Sequence, residues 1–540
     1  MRTHSFFRNI VWLFAGVTVL FFASPVSAIN LLVYNNNDSG AGSLRQAIAD
    51  NTTLGGGNTI VFSNVVTGTI LLTSGQLFIG TNVNILGPGP NVLAINGNAA
   101  GRIFETELGN TNLIAGLTLT NASFPGGSGG AIFNLRSTLT VSNCTISGNS
   151  ARNGGGIYNS GTGASATLVV KASTLSNNLA VYGGAINNNA IGGNAGLTLA
   201  GCILSSNSAA YGGGIYNDAR GSGTAPVAIS ASTFKSNFVD YDGIYGGGLG
   251  GGIYNNGSGG GNATITLNTS TLQANQALDG GGIYNYGYEG TARLHASAST
   301  FSGNKGYGAA ISSVASANYT ADTFVNACTF SGNDGGEFGG TIYVENGLVQ
   351  IGDSILKAGA SNTNLLGYGG YSIVSAGYNL ASDDGSGFLT ATGDQLNTDP
   401  LLGPLANNGG PTLTHALLAG SPAIDKGKRD AISFLATTVD ARGVTRPLDF
   451  PSISNAVGGD GSDIGAFEFN NPTLNIQKAG GNVVLSWPSF LGFFTLESST
   501  NITSSNSWTT AGGSADIVGN QYQQTNGPIS SNRCFRLRGN

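Results

Sequence analysis

The sequence predicts an all-β chain: a right-handed parallel β-helix with three short strands per coil, followed by a small C-terminal β-sandwich. Two observations carry this. Ala122, Cys144, Ser173, Cys202, Ser232, Ser270, Ser299, Cys328 and Ser354 occupy one slot that recurs about every 29 residues. The composition, 88 Gly and only 9% charged residues in 540, suits tightly turned strands. A fixed period of this length marks a solenoid, in which each unit buries its apolar face only by stacking on the next.

At the N-terminus, Arg2 and Arg8 precede an apolar run from Ile10 to Ala23, and Val26-Ser27-Ala28 forms a small-residue cleavage site. Residues 1–28 therefore read as a secretory signal, too short to span a bilayer at ~20 residues per crossing. Export is expected, with no integral membrane segment left after cleavage. Strand signals at Thr59–Phe62, Thr69–Thr73, Val83–Leu86 and Val92–Ile95 extend the stack toward this end. The helix is assigned residues 29–469, with a closing region from about 380, and the sandwich residues 470–540.

Within each coil the first strand runs through the slot and ends at an Asn: Asn149, Asn178, Asn207, Asn237, Asn275, Asn304 or Asn333. The second follows a double Gly, as in Gly212-Gly213-Gly214-Ile215-Tyr216-Asn217, and the third is a strand such as Leu197-Thr198-Leu199. Strand alternation places the slot residue, the apolar residue two positions later and the Ile of the second strand inside. It places a row from Thr145 to Thr329, and the residue after the Ile, on the solvent face. The recurring Asn is expected to bond between coils and to adopt the left-handed turn itself, while the double Gly makes a corner without room for Cβ.

Gly129-Gly130-Ala131-Ile132, Gly183-Gly184-Ala185-Ile186, Phe301-Ser302-Gly303-Asn304 and Phe330-Ser331-Gly332-Asn333 resemble the GGAI and FxxN repeats of polymorphic outer-membrane proteins. Ser43-Leu44-Arg45-Gln46-Ala47-Ile48 is similar to a segment at the front of many bacterial β-helix surface proteins and should form a short capping helix. Asp399-Pro400-Leu401-Leu402-Gly403-Pro404, Asn408-Gly409-Gly410-Pro411-Thr412, Ser421-Pro422-Ala423-Ile424-Asp425, Asp440-Ala441-Arg442-Gly443 and Asp463-Ile464-Gly465-Ala466-Phe467-Glu468 resemble the choice-of-anchor Q family. The resemblance covers roughly residues 38–469 and implies an exported bacterial protein of pectate-lyase-like fold without established catalytic residues. The chain departs from the outer-membrane family in lacking a run of alternating ~10-residue barrel strands, so self-insertion into an outer membrane is not expected.

Net charge is −6 and no basic cluster interrupts the repeats, which excludes nucleic acid as a partner. Cys144 and Cys202 share the slot two coils apart, nearly 10 Å at ~4.8 Å per strand, beyond disulfide reach. Trp487 and Trp508 read as anchors of the sandwich, and His415 as structural. No catalytic residue is assigned and no cofactor is expected; Asp383–Gly387 and Asn333–Gly336 carry only a faint likeness to Ca²⁺ loops and read as turns. The spacing between Ser232 and Ser270 is 38 residues, and the excess contains Asp240 and Asp242 flanked by tyrosines, a candidate cation or sugar loop. Tyr216, Tyr254 and Tyr284 lie on successive coils and predict a ~4.8 Å stripe of rings suited to an extracellular glycan or a cell-surface protein, or else packed on one another as a stiffener. A non-enzymatic adhesive scaffold is the leading reading; the rivals are a lyase or hydrolase of acidic glycans and a purely structural surface-layer component.

Overall fold

The computed structural model describes residues 28–239, 247–337, 339–359, 363–470, 474–488, 494–501, 507–518, 521–527 and 532–539. The signal segment, except Ala28, lies outside them. Three parallel sheets of 13, 12 and 11 strands wrap a single apolar column, and successive strands of one coil pass from sheet to sheet. The long-strand sheet contains Ser165–Lys171, Asn194–Ala200 and Thr224–Ser230; the slot sheet contains Thr174–Ser176, Ile203–Ser205 and Thr233–Lys235; the tyrosine sheet contains Ile215–Asp218, Ile253–Asn256 and Ile283–Gly287. The expected parallel β-helix is therefore present. One α-helix, α1 (Leu44–Thr53), packs against the first coils; Ser43 Oγ caps it by accepting from Gln46 N at 3.2 Å.

Every Ile of the second strand, from Ile132 to Ile342, is fully buried, as the alternation predicts. Between them and the slot residues runs an amide ladder. Asn149 Nδ2 donates to Asn178 Oδ1 at 3.0 Å, Asn178 to Asn207 at 2.9 Å, and the row continues through Asn237, Asn275 and Asn304 to Asn333. A second buried row, unforeseen in the sequence, joins Asn134, Asn159, Asn188, Asn217, Asn255 and Asn285 at 2.7–2.8 Å. Each amide meets its partners inside a dry column, where an orphaned one would be costly.

Three sequence expectations are corrected. The ladder Asn is not the left-handed residue; its predecessor is, as at Asn177 (φ 54°), Ser206 (φ 54°) and Ala274 (φ 51°). The turn must be completed before the chain presents an inward amide. Ala122 is not a rung of the slot: its N–H donates to Asn149 Oδ1 at 3.0 Å, so it aligns with the Asn ladder, and Leu117 takes the slot position. This misalignment explains why Phe124, expected inside, is 41% exposed, beneath the Arg102 guanidinium at 5.1 Å. Finally, the Thr row is only partly open. Thr271, Thr300 and Thr329 face away from the column yet are buried beneath the closing segment.

That segment folds back over the last coils. Thr271 Oγ1 donates to Leu413 O at 2.6 Å, Ser302 Oγ meets His415 Nε2 at 3.0 Å, and Ala466 N donates to Thr329 Oγ1 at 2.9 Å. His415 Nδ1 bonds Gly403 O at 2.8 Å, so the ring is a structural strut, as expected, and burial keeps its pKa down. At the base of the segment Arg446, fully buried, pairs with Glu468 at 2.8 Å and with Asp353 of the helix at 3.4 Å.

The C-terminal residues form two antiparallel sheets sharing Leu485, Trp487, Leu496 and Ala511. Trp487 is the buried anchor the sequence suggests, while Trp508 lies half-buried under the Arg536 guanidinium at 4.3 Å. The four cysteines are free, and Cys144, Cys202 and Cys328 are buried. Burial pushes the Cys144 thiol up to about 11 and that of Cys328 to about 12, which keeps them protonated and unreactive.

Candidate functional site

The Gly-Gly turn builds the face on which the tyrosines lie. Gly212 has φ 64°, and a Cβ there would stand 2.3 Å from Ile215 O, so only glycine lets the chain double back directly onto the strand it is about to enter. The residues just before each turn, including Tyr182, Tyr211 and Leu249, are consequently brought beside the tyrosine sheet as a ridge, bridged in register from coil to coil.

Tyr216, Tyr254 and Tyr284 are paired in register. Their rings do form a row, with centroids 5.1 and 5.2 Å apart, but they interlock edge to face at 72° and 75°. The expected exposure is corrected: the three are only 3%, 5% and 6% exposed. Tyr182 and Tyr211, stacked at 5.3 Å and 8°, close one side, and Tyr286, stacked on Tyr284 and Tyr288, closes the other. Burial pushes all three phenols up, reinforced at Tyr216 by Asp218 and at Tyr284 by Asp279, so they stay neutral. Tyr216 Oη accepts from Asn256 Nδ2 at 2.9 Å.

The face also carries charges that the sequence reading did not single out. Arg220 grips the buried Asp218 with two bonds, Nε to Oδ1 at 2.9 Å and NH2 to Oδ2 at 2.8 Å. The hydrogen bond to Asp218 holds the guanidinium's pKa up. Farther along, Asp279 accepts from Gly308 N at 3.1 Å, and burial raises its pKa. Tyr343 donates to Glu345 Oε2 at 3.1 Å and meets Tyr307 edge to face at 4.9 Å. The signal that could have exposed the ridge was the aromatic enrichment immediately before the double glycines, at Tyr182 and Tyr211.

Of the other candidates, Asp240 and Asp242 lie outside the described residues. Asp383 accepts from Gly385 N at 3.1 Å and Asp334 Oδ1 from Gly336 N at 3.1 Å, the bonding of turns, and Asp383 is otherwise spent on tying down Asn364 N and Nδ2 at 2.7 and 2.9 Å. Among the described residues no three His, Cys, Asp or Glu side chains gather in a way that could hold a metal ion. No helix there is long and apolar enough to cross a membrane.

A family model described as the Chlamydia polymorphic membrane protein repeat matches residues 143–160, the stretch from the Cys144 slot through the first ladder Asn and the Gly-Gly turn to Asn159. This match and the parallel solenoid together fit a β-helix surface protein built on that repeat. No curated protein matches the chain.

Proposed function

We propose that the chain is an exported, non-enzymatic surface protein whose β-helix is a stiff spacer presenting an adhesive, glycan-contacting flank. The observation that carries this reading is the repeat match on an unbroken parallel stack. Its interior is braced by neutral amide ladders and its flank by interlocked tyrosines, a construction suited to holding a shape over a long distance. The binding role assigned from sequence to Tyr216, Tyr254 and Tyr284 passes to the rings around them, because a buried ring offers no face to a ligand.

Two measurements test the proposal. Protease treatment of intact cells should degrade the protein while sparing cytoplasmic markers, and purified chain should adhere to cell surfaces or immobilised glycans. Release of unsaturated uronides from pectin or alginate by the purified chain would replace this reading with that of a lyase. Surface display without adherence to any surface would leave a purely structural component.

A further inference from the structure

Along the ridge beside the tyrosine sheet lies an open cavity of about 370 Å³ lined by Gln276, Leu278, Lys305, Tyr307, Asp334 and Glu337. Its volume falls within the range of small-molecule sites, roughly 300–1,000 Å³. Three coils contribute in register, Gln276 opposite Lys305 and Lys305 opposite Asp334. The backbone positions that carry an amide, an ammonium and a carboxylate therefore follow one another at strand spacing, ~4.8 Å, which matches alternate, not adjacent, equatorial hydroxyls of a pyranose.

The aromatic part is equally specific. Tyr307 is 38% exposed and Leu278 63%, so unlike the buried row they present apolar surface to solvent. Tyr307 is also held in place: Tyr343 abuts it at 4.9 Å and 78°, and the Tyr343 hydroxyl is tied to Glu345. A ring fixed before binding loses little freedom when a flat, CH-rich face settles on it.

We propose that this cavity is a saccharide subsite for a neutral pyranose, stacked on Tyr307 with its hydroxyls bonded to Gln276, Lys305, Asp334 and Glu337. The assignment rests on the surface-contact reading above and narrows it to a place and a ligand class. The charge balance selects the class: one cation, Lys305, faces two carboxylates, Asp334 and Glu337, which disfavours a uronate and accepts a neutral ring.

The test titrates the full chain with a neutral hexose oligosaccharide and with an oligogalacturonate of equal length, read by saturation-transfer NMR and calorimetry. The neutral sugar should bind in preference. Tyr307→Ala should weaken it about ten-fold, Tyr307→Phe should stay within about two-fold, and Tyr319→Ala, an exposed ring outside the tyrosine face, should change nothing. Unaltered thermal unfolding of Tyr307→Ala confirms that a loss is local. Sugar binding untouched by Tyr307→Ala, or preference for the uronate, overturns the subsite while leaving surface adhesion standing. A chain that adheres to cells but binds neither sugar also overturns the subsite alone, whereas a chain that does neither removes both proposals.

Discussion

The repeated coils and the closing segment bury polar groups in opposite ways. In the coils the repeated interior polar side chains are neutral: the amides bond to their own equivalents above and below, as in the chain from Asn149 to Asn333, and the slot serines bond backbone, as Ser173 does to Cys144 N and Lys171 O. In the closing segment Asp425, Asp440, Asp463 and Glu468 are buried against Asp353 of the helix, with Arg442 and Arg446 the fully or nearly buried cations among the described residues there. A ladder spreads its cost evenly and ignores pH. A cluster of ionisable groups concentrates its cost at one place and must answer to protons.

The largest expected effect breaks the cluster. Arg446→Met strands Glu468 and Asp353 and should cost about 3–5 kcal/mol, seen as early detachment of the closing segment in limited proteolysis and a lower denaturation midpoint. Retention of wild-type resistance would show that the pair is idle. Next, Asn207→Ala removes the acceptor of Asn178 N and Asn178 Nδ2 from the middle of the ladder. The loss should be about 1–3 kcal/mol for each stranded group, equal at pH 5 and pH 8 by urea denaturation. Pronounced pH dependence there would erase the contrast between the regions.

The third effect is the pH response itself. Burial pushes the Asp425 carboxyl up to about 6, its Oδ1 having no hydrogen-bond partner, and burial raises Asp353 and Asp463 in the same direction. Because the folded values exceed the unfolded value, near 3.9, the protonated groups contribute fully below about pH 4, and that contribution fades as pH rises through about 6 and beyond. Melting temperature should therefore fall between pH 4 and pH 8, and less steeply in Asp425→Asn. The smallest effect is a gain. Ala172 adopts φ 45°, where the equivalent Gly201 of the next coil meets no steric penalty, so Ala172→Gly should add up to about 1 kcal/mol.

Legibility in the sequence followed the range of the interactions. The period, the inward Ile and the Asn ladder were readable because each depends only on a neighbour about 29 residues away. The burial of Tyr216, Tyr254 and Tyr284 was not, because it depends on how the Gly-Gly turn swings Tyr182 and Tyr211 beside the strand. The cover over Thr271 was hidden by distance, since Leu413 lies 142 residues onward. The saccharide cavity combines both difficulties: its tyrosine stands outside the repeating row, and its polar groups meet only when three coils are stacked.

Coil-to-coil bonding also decides how the molecule comes apart under load. A coil in such a stack touches little beyond its two neighbours, so tension that reaches the β-helix from the C-terminal module meets the Arg446 cluster first and, once that clasp yields, peels the helix one turn at a time. Rupture becomes a staircase instead of a single collapse, and the turns still wound keep their shape while the end frays.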